Sequence, residues 1–598
     1  MKKIYFLTLP FLAAALWSCT DKNDLRGDNN PDRDIAANYL SVSIVPAMET
    51  GTRVDGETGD NGGKYKDGNA IENYVKNVRF YFFDAAGNAQ AVKRNDEGSW
   101  DSYYEVALPQ LNDPETEDKP NVEKVINATI VLETPNGDLF PASLVAIVNY
   151  DKALFGGKDI DASSINKLLE QTGQFAKSSY GEEEGILMSN SVYKEANGAS
   201  QIVERKLAPE NFGSSESEAQ KNPVTIYVER AVAKVSLSTD KIENTISSSK
   251  FVGRKIFKLS STTKEGDDSD LKISDGKTEK EVYVGFLGWN VTQTADKSFA
   301  VKNLRSDWTG DSPFVGWTYP AYFRSFWALN PAPLSYNYTT FNRASEGLPL
   351  ASAIKGISDN DTSTPNYTYA PENAPQNQGD KRTEVIVAAQ LVDRDGSAIK
   401  LADFGGMKFM GENYEDELLQ YVANILGVWK KTSEAGGYKY ETIQKDLKLV
   451  SAQKAGKTGP GLYYTYVQFE DGSSENLYVD NNDETGKEVK FAELKEKLSN
   501  LPFIKVWTNG YTYYFVDIEH LNTVAGAEGQ YPVGKYGVVR NHWYAIDVTK
   551  IYGLGTPVFD PSEEIIPENP QDHETYLAAK INILSWRLVN QNTTLGQK

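Results

Sequence analysis

Few residues in this chain have the types and spacing that covalent or acid–base chemistry demands. The single cysteine, Cys19, closes the run MKKIYFLTLPFLAAALWSC. Lys2 and Lys3 give it a basic start, and Ile4 to Leu16 is apolar but shorter than the ~20 residues a membrane-spanning helix needs. Leu16-Trp17-Ser18-Cys19 then sets a leucine three residues before the cysteine and a small serine directly before it. That pattern resembles a lipobox, in which the thiol accepts a diacylglycerol before the signal is cut away. Trp17 is bulkier than the usual residue at its place. With its one thiol assigned to lipid, the chain is left without a disulfide or a thiol nucleophile.

Histidine chemistry is equally sparse. His520, His542 and His573 are the only three; they are far apart in the sequence, on unlike elements, and none has an HExxH-type metal spacing. There is no GxSxG elbow and no phosphate-binding loop. Glu182-Glu183-Glu184 and Asp267-Asp268 read as solvated loop charges rather than a hydrolase pair. The expectation is a protein that is not an enzyme and holds no cofactor or metal. A formal net charge of −21 repels nucleic acid and anionic membrane surfaces. Nucleic acid is therefore not an expected partner, and a membrane is one only through the lipid on Cys19 of the precursor.

What the sequence does specify is strands. Its 598 residues leave room for two to four domains. After a polar tether over Thr20–Asn38 comes Tyr39-Leu40-Ser41-Val42-Ser43-Ile44-Val45. Leu40, Val42 and Ile44 fall on one face and Ser41 and Ser43 on the other, the period-two pattern of a half-buried strand. Asp/Gly-rich sequence follows to Gly63, so this strand stands alone between two polar stretches, as a removable element would.

From Val75 the pattern is mostly β. Val75–Phe83 closes in the turn Asp84–Asn88, strands follow at Val125–Leu132 and Leu144–Asn149, and Asp161 is placed to cap a short helix through Ile165, Leu168 and Leu169. Val224–Leu237 alternates for most of its length and marks a boundary between two β-domains. Further strands are expected at Val282–Trp289, Tyr322–Leu329, Val385–Leu391, Leu462–Phe469, Tyr511–Ile518 and Trp543–Val548. Asn413–Lys431 has helical spacing through Leu418, Leu419, Val422 and Ile425, which predicts a small α-containing insertion in the second domain. Strands this dense, with frequent turn signals, point to β-sandwiches.

The end of the chain is unusual. Gly555–Glu574 carries Pro557, Pro561, Pro567 and Pro570 among acidic residues, the composition of a stiff, solvated linker. Tyr576–Val589 is then strongly apolar. Leu577, Ala579, Ile581 and Ile583 share one face, and Leu584, Trp586 and Leu588 the other. The switch of phase near Ile583 predicts a β-bulge there, or a strand buried on both faces.

Taken together these landmarks resemble the type V pilins of Bacteroidales, in the family of the short-fimbria major subunit. The resemblance rests on the lipobox at Cys19, the strand Tyr39–Val45 before Arg53, and Val228-Glu229-Arg230-Ala231-Val232-Ala233-Lys234-Val235. It rests also on Gly288-Trp289, Tyr536–Tyr544 (YGVVRNHWY) and Lys580–Trp586 (KINILSW). It spans nearly the whole chain, and the central insertion departs from it. The resemblance implies a mainly β chain of two transthyretin-like β-sandwich domains with the α-containing insertion in the second and a C-terminal donor strand. The implied division is a signal peptide over 1–19, a propeptide over 20–53, an N-terminal domain over 54–230, a C-terminal domain over 231–555 and a linker with donor strand over 556–598.

The same resemblance implies a mechanism of assembly. The precursor is exported as an outer-membrane lipoprotein, and an Arg-specific protease cuts between Arg53 and Val54. Arg26 and Arg33 stand in equally polar sequence, but a cut at either would leave the strand attached. Loss of the propeptide strand (Leu40, Val42, Ile44) opens a groove that the terminal strand of another copy fills with Leu577, Ile581, Ile583, Leu584, Trp586 and Leu588. Burying those six side chains is worth roughly 9–18 kcal/mol before entropic costs, at ~1.5–3 kcal/mol each, against three anchors in the strand that leaves. Trp289 and Trp543 are expected to be core aromatics. The expected partners are copies of the chain itself, anchor and tip subunits, and the protease, and the expected role is the stalk of an adhesive, biofilm-supporting fimbria. A tethered anchor or accessory subunit, or a glycan-binding surface lipoprotein, is the alternative.

Overall fold

The alternation in the sequence becomes sheet in the computed structural model. It describes residues 38–46, 71–92, 101–107, 126–132, 140–181, 183–195, 201–239, 241–242, 245–251, 255–260, 270–274, 278–304, 315–318, 322–348, 366–376, 380–454, 462–482, 486–520, 533–567, 576–584 and 588–590. Cys19, Arg53, Val54, Trp586, His573 and Asp267-Asp268 lie outside these residues, as does Glu182.

The N-terminal half is built on one nine-stranded sheet. Its main strands are β1 (Asn38–Pro46), β2 (Asn77–Phe83), β3 (Tyr103–Ala107), β4 (Ile126–Leu132), β5 (Ser143–Val148), β6 (Met188–Asn190), β7 (Phe212–Gly213) and β8 (Val224–Arg230). The order runs β4-β1-β8-β6-β5-β2-β3, with β7 beside β8 on the same edge of β1. The sheet curls, because Leu40 and Val42 of β1 share one apolar cluster with Val78 and Phe80 of β2, although three strands lie between them. The other face, with Tyr81, Phe83, Val145 and Ile147, packs against Val232, Val301 and Tyr369 from the C-terminal half. A short helix, α1 (Ile165–Leu169), lies at this face. Its cap is Ser164, whose Oγ accepts from Lys167 N, and not Asp161, whose carboxylate is engaged by Ser163 N.

At Ala231 the chain passes from one sheet to the next: β8 ends at Arg230 and β9 (Val232–Ser238) begins one residue later. The C-terminal half is a sandwich. One sheet is ordered β11 (Tyr367–Pro371), β9, β14 (Trp543–Tyr552), β15 (Tyr576–Leu584) and β16 (Leu588–Asn590); the facing sheet is centred on β10 (Tyr283–Thr292), β12 (Glu384–Val392) and β13 (Tyr511–Asp517). Val235, Leu237, Ile546 and Val548 of the first meet Val284, Phe286, Val387 and Val516 of the second in a shared core. Trp289 is fully buried there. Trp543 is also buried and donates from Nε1 to Ser236 Oγ at 2.7 Å.

Two expectations change in scale. β12 and β13 are antiparallel neighbours, Glu384 opposite Asp517 through Gln390 opposite Tyr511, yet residues 393–510 intervene. They form a five-stranded and a four-stranded sheet and two helices, α2 (Tyr414–Leu426) and α3 (Phe491–Ser499), around a core of their own. The insertion is therefore a folded unit, of which the sequence reading found only α2 and the strand at Leu462–Phe469, observed as Tyr463–Phe469. Helix α2 stops at Gly427 in the left-handed conformation (φ 69°), so Val428–Lys431 begins a strand instead of continuing the helix. Its buried stripe is centred between Val422 and Leu426, which leaves Ile425 on the shoulder and 44% exposed. The first part of the proline-bearing stretch is likewise not solvated linker: Thr556 and Pro557 pair with Tyr513 and Thr512, and Val558, Ile565 and Ile566 are buried.

Candidate strand groove and domain junction

Strand β1 lies in the interior of its sheet, paired along both edges. On one edge Asn38–Ile44 runs antiparallel to β4 over seven registered pairs, from Leu132 to Ile126. On the other, Val42–Pro46 runs parallel to β8 over five pairs, from Val224 to Val228, and Tyr39 and Leu40 pair with β7. Leu40 and Val42 have no exposed surface, and Ser41 is 5% exposed. Ile44 stands opposite Ile226 and Ile126 in the two ladders. The polar face read from Ser41 is thus covered as well. Taking β1 away would uncover Val224, Ile226, Ile130 and Leu132 and leave backbone groups unpaired on both sides of a slot.

The terminal strand has a place in its own chain. β15 runs antiparallel to β14, Tyr576 opposite Tyr552 through Leu584 opposite Trp543, and turns back as β16. Positions 577, 579, 581 and 583 are registered with Ile551, Val548, Ile546 and Tyr544, the residues of β14 that belong to the sandwich core. The register irregularity lies in β14, between Val548 and Lys550, and not at Ile583, which stays in register with Tyr544. Leu588 pairs with Leu584 in the returning hairpin.

The two sequence motifs meet between the halves, in a cluster of buried charges. Glu72 is wholly buried; its Oε1 takes Lys234 Nζ at 2.7 Å and the Tyr369 hydroxyl at 2.6 Å, and Arg230 Nε donates to its carbonyl at 3.1 Å. Burial alone would raise the Glu72 carboxyl, but Lys234, Tyr369 and Arg230 outweigh it and hold the group below the ordinary range. Arg230 also donates from its backbone and its guanidinium to Asn541 Oδ1, both at 3.3 Å. Next to it Glu229 and Lys302 form a fully buried pair at 3.1 Å. Arg540 binds Glu372 at 2.8 Å and donates to the Phe299 and Ala300 carbonyls.

Two of the three histidines, expected to be far apart, come together here. His520 and His542 have ring centroids 5.0 Å apart. His520 Nε2 donates to the Phe326 carbonyl at 2.8 Å while Nδ1 accepts from the Tyr544 hydroxyl at 2.9 Å. Desolvation pushes its pKa down to about 4, so it is neutral and both nitrogens are occupied. This is a structural packing of imidazoles, closed to substrate. Among the described residues no group of three or more His, Cys, Asp or Glu is placed to hold a metal ion, and no helix is long and apolar enough to cross a membrane.

Sequence reading passed over this junction, although its signal was present. Glu229, Arg230 and Lys234 are charges inside an otherwise apolar run, and such residues are buried only when paired. Glu72 and Lys302, their partners, and Glu372, the partner of Arg540, sit in segments without periodicity and could be found only in three dimensions.

Residues 505–592 match the sequence model of the family described as major fimbrial subunit protein type IV, fimbrillin, C-terminal. The matched stretch contains both Tyr536–Tyr544 and Lys580–Trp586, whereas Val228–Val235 lies outside it. Among solved structures, a fimbrilin (fimA) from Porphyromonas gingivalis W83 is 12% identical over 92% of this chain and 98% of its own, with a TM-score of 0.34. A putative cell adhesion protein from Parabacteroides distasonis is 12% identical over 93% and 99%, with a TM-score of 0.33. The tip fimbrial protein Mfa3 from P. gingivalis is 8% identical over 90% and 99%, with a TM-score of 0.27. No curated protein matches the chain.

Proposed function

We propose, from the premise that residues 505–592 are a fimbrillin C-terminal region, that this protein is a structural subunit of a cell-surface fimbria, and specifically its stalk. On this reading the precursor is anchored in the outer membrane through lipid on Cys19, cleavage after Arg53 releases β1, and the terminal strand of another copy enters the vacated slot. The observation that carries the reading is the position of β1: an interior strand, paired on both edges and fully buried at Leu40 and Val42. The sequence on both sides of it is polar, and a cut at Arg53 disconnects it from β2. A vacated interior slot is costly until another strand fills it. An acceptor at one end and a donor at the other make a heterologous contact, which propagates as a filament. Adhesion and biofilm support follow from such a filament, with anchor and tip subunits at its ends.

One observation favours the second reading, a subunit that remains tethered. β15 is paired with β14 of its own chain, as a closing strand would be, so donation requires that strand to leave or its continuation to reach out. A glycan-binding role has one feature in its favour: Trp429, Tyr438 and Tyr440 stand exposed on one face of the insertion's four-stranded sheet, with Lys431 Nζ 4.0 Å from the Tyr438 ring centre.

The test uses the chain without residues 1–19, treated with an Arg-specific protease and run on unboiled SDS gels, with mass spectrometry of the new terminus. SDS-resistant ladders with a Val54 terminus, lost on deletion of Tyr576–Lys598, are expected for the stalk. Complete cleavage at Arg53 with monomer only would overturn it in favour of the tethered subunit.

A further inference from the structure

The two walls of the β1 slot are not equally held. β8 pairs with β6 through Val228–Arg230 and continues through Ala231 into β9, so it remains part of the fold whatever lies beside it. β4 has no such second attachment. Among the described residues its only strand partner is β1, along all seven of its registered positions. Among the side chains described for β4, Ile130 and Leu132 add an apolar contact with the cluster that Leu40 and Val42 complete.

We propose that β4 is a wall held by the occupant of the slot: when β1 leaves, Ile126–Leu132 loses its place in the sheet, and it regains that place only when another strand of sufficient length enters. The inference rests on the strand-exchange reading and adds a condition to it. A seven-residue strand cut off from every backbone partner cannot keep its order, because isolated strands are not stable in water. The emptied subunit is therefore not a rigid slot with two edges. It offers one fixed edge, β8, beside a segment that folds on binding. An incoming strand must order β4 as well as itself, so part of the gross interaction is consumed in ordering. Selection for length follows: a strand that pairs with β8 alone gains one ladder, and one that spans Asn38 to Pro46 gains both.

The experiment is hydrogen exchange by mass spectrometry on the full chain lacking residues 1–19, before and after cleavage at Arg53. The released peptide is separated at high dilution, and its absence is checked by intact mass. Backbone amides of 126–132 are expected to exchange at least ~100-fold faster in the emptied subunit than in the precursor, while 143–148 in β5 keep their protection. A synthetic peptide of residues 38–46 should restore protection. One of residues 42–46, which keeps all five β8 pairs but only three of the seven β4 pairs, should restore less. Val42→Asp in the uncut chain, which expels β1 without proteolysis, should give the same selective loss at 126–132. Persistent protection of 126–132 in the monomer fraction, after β1 is confirmed absent, overturns the proposal. Gels run in parallel separate the two readings: a cleaved chain that forms ladders while its β1-free monomer keeps β4 protected sinks the wall and spares strand exchange, and an unprotected β4 in a monomer that never forms ladders does the reverse.

Discussion

Leu40→Ala should shorten the stay of β1 in its slot by orders of magnitude, and only after the chain has been cut. Leu40 has no exposed surface and lies in the cluster with Val78, Phe80 and Ile130. Removing its three outer carbons from a site that cannot fully collapse costs about 2–5 kcal/mol. At ~1.4 kcal/mol per tenfold, that is roughly a 30- to 4,000-fold faster release if the loss falls on the off-rate. In the uncut precursor the strand is tethered, and the high effective concentration of an intramolecular strand masks most of the change. After cleavage nothing holds it but its contacts. The assay is the rate at which the 20–53 peptide separates from the cleaved subunit, followed alongside SDS-resistant ladders. Ser41→Ala, one position away on the opposite face, is the control, with an expected change below about threefold. If Leu40→Ala is cleaved completely at Arg53 and releases its peptide no faster than the parent, β1 does not gate the slot.

Other consequences can be checked separately. Arg540→Met leaves Glu372 buried without its charge partner and should destabilise the protein by about 3–5 kcal/mol in denaturant titrations, whereas adding Glu372→Leu should recover much of that loss; a double variant no more stable than the single would contradict the pairing. His520, with its pKa lowered to about 4, binds a proton in the unfolded chain before it does in the folded one. Its contribution to stability is therefore complete above about pH 6.5 and declines as pH falls toward 4. Glu384, raised to about 8 by burial and by Asp517, acts in the opposite sense, its contribution declining as pH rises from about 4.5 to 8. The informative quantity is thus the difference between parent and His520→Gln across pH 4–7, which should narrow as pH falls; a constant difference would show that His520 is not buried neutral. The insertion should fold without its host, since residues 393–510 have a separate core; an excised segment that shows no cooperative unfolding would refute that.

How much of this was legible follows from where the constraints lie. β1 was readable residue by residue, because its alternation of Leu40, Val42 and Ile44 is a local property. Its burial at Ser41 was not, since alternation alone assigns a serine to the exposed face. The helix of the insertion and its strand at Leu462–Phe469 were visible through their periods, but the other eight strands are short or mixed in polarity, and strand signals depend on neighbours that a sequence does not reveal. Asp161 and Ser164 are both competent caps, and the choice between them was settled by where the chain enters the helix, not by residue type. The charged junction was readable on one side only: Glu229, Arg230 and Lys234 interrupt an apolar run, but a salt bridge such as Lys234–Glu72 joins residues with no sequence relation, and Glu72 alone reads as surface.

The two halves share one arrangement, and the difference between them bears on the direction of assembly. In the N-terminal half the first strand, β1, runs parallel to the last, β8, and antiparallel to β4. In the C-terminal half the first strand, β9, runs parallel to the last, β14, and antiparallel to β11. The equivalence ends at the connections. β9 follows β8 after the single residue Ala231, and Arg230 and Lys234 on either side are tied to Glu72. It cannot leave without pulling β8 out of the first sheet and breaking buried ion pairs. β1 is joined to the rest of the described chain only through 47–70, where one cut at Arg53 disconnects it. On the proposed reading only the N-terminal half can therefore become an acceptor. The last strand makes the converse distinction: β8 has β6 on its far edge, contributed from within the domain, whereas β14 has β15, which with its returning partner β16 follows the other strands of that sheet in sequence. A chain in which one half has a first strand that cleavage can release, and the other a last strand that joins the sheet from outside, has two unlike ends. On the proposed reading that asymmetry fixes a head-to-tail contact, and a head-to-head dimer would leave both slots empty.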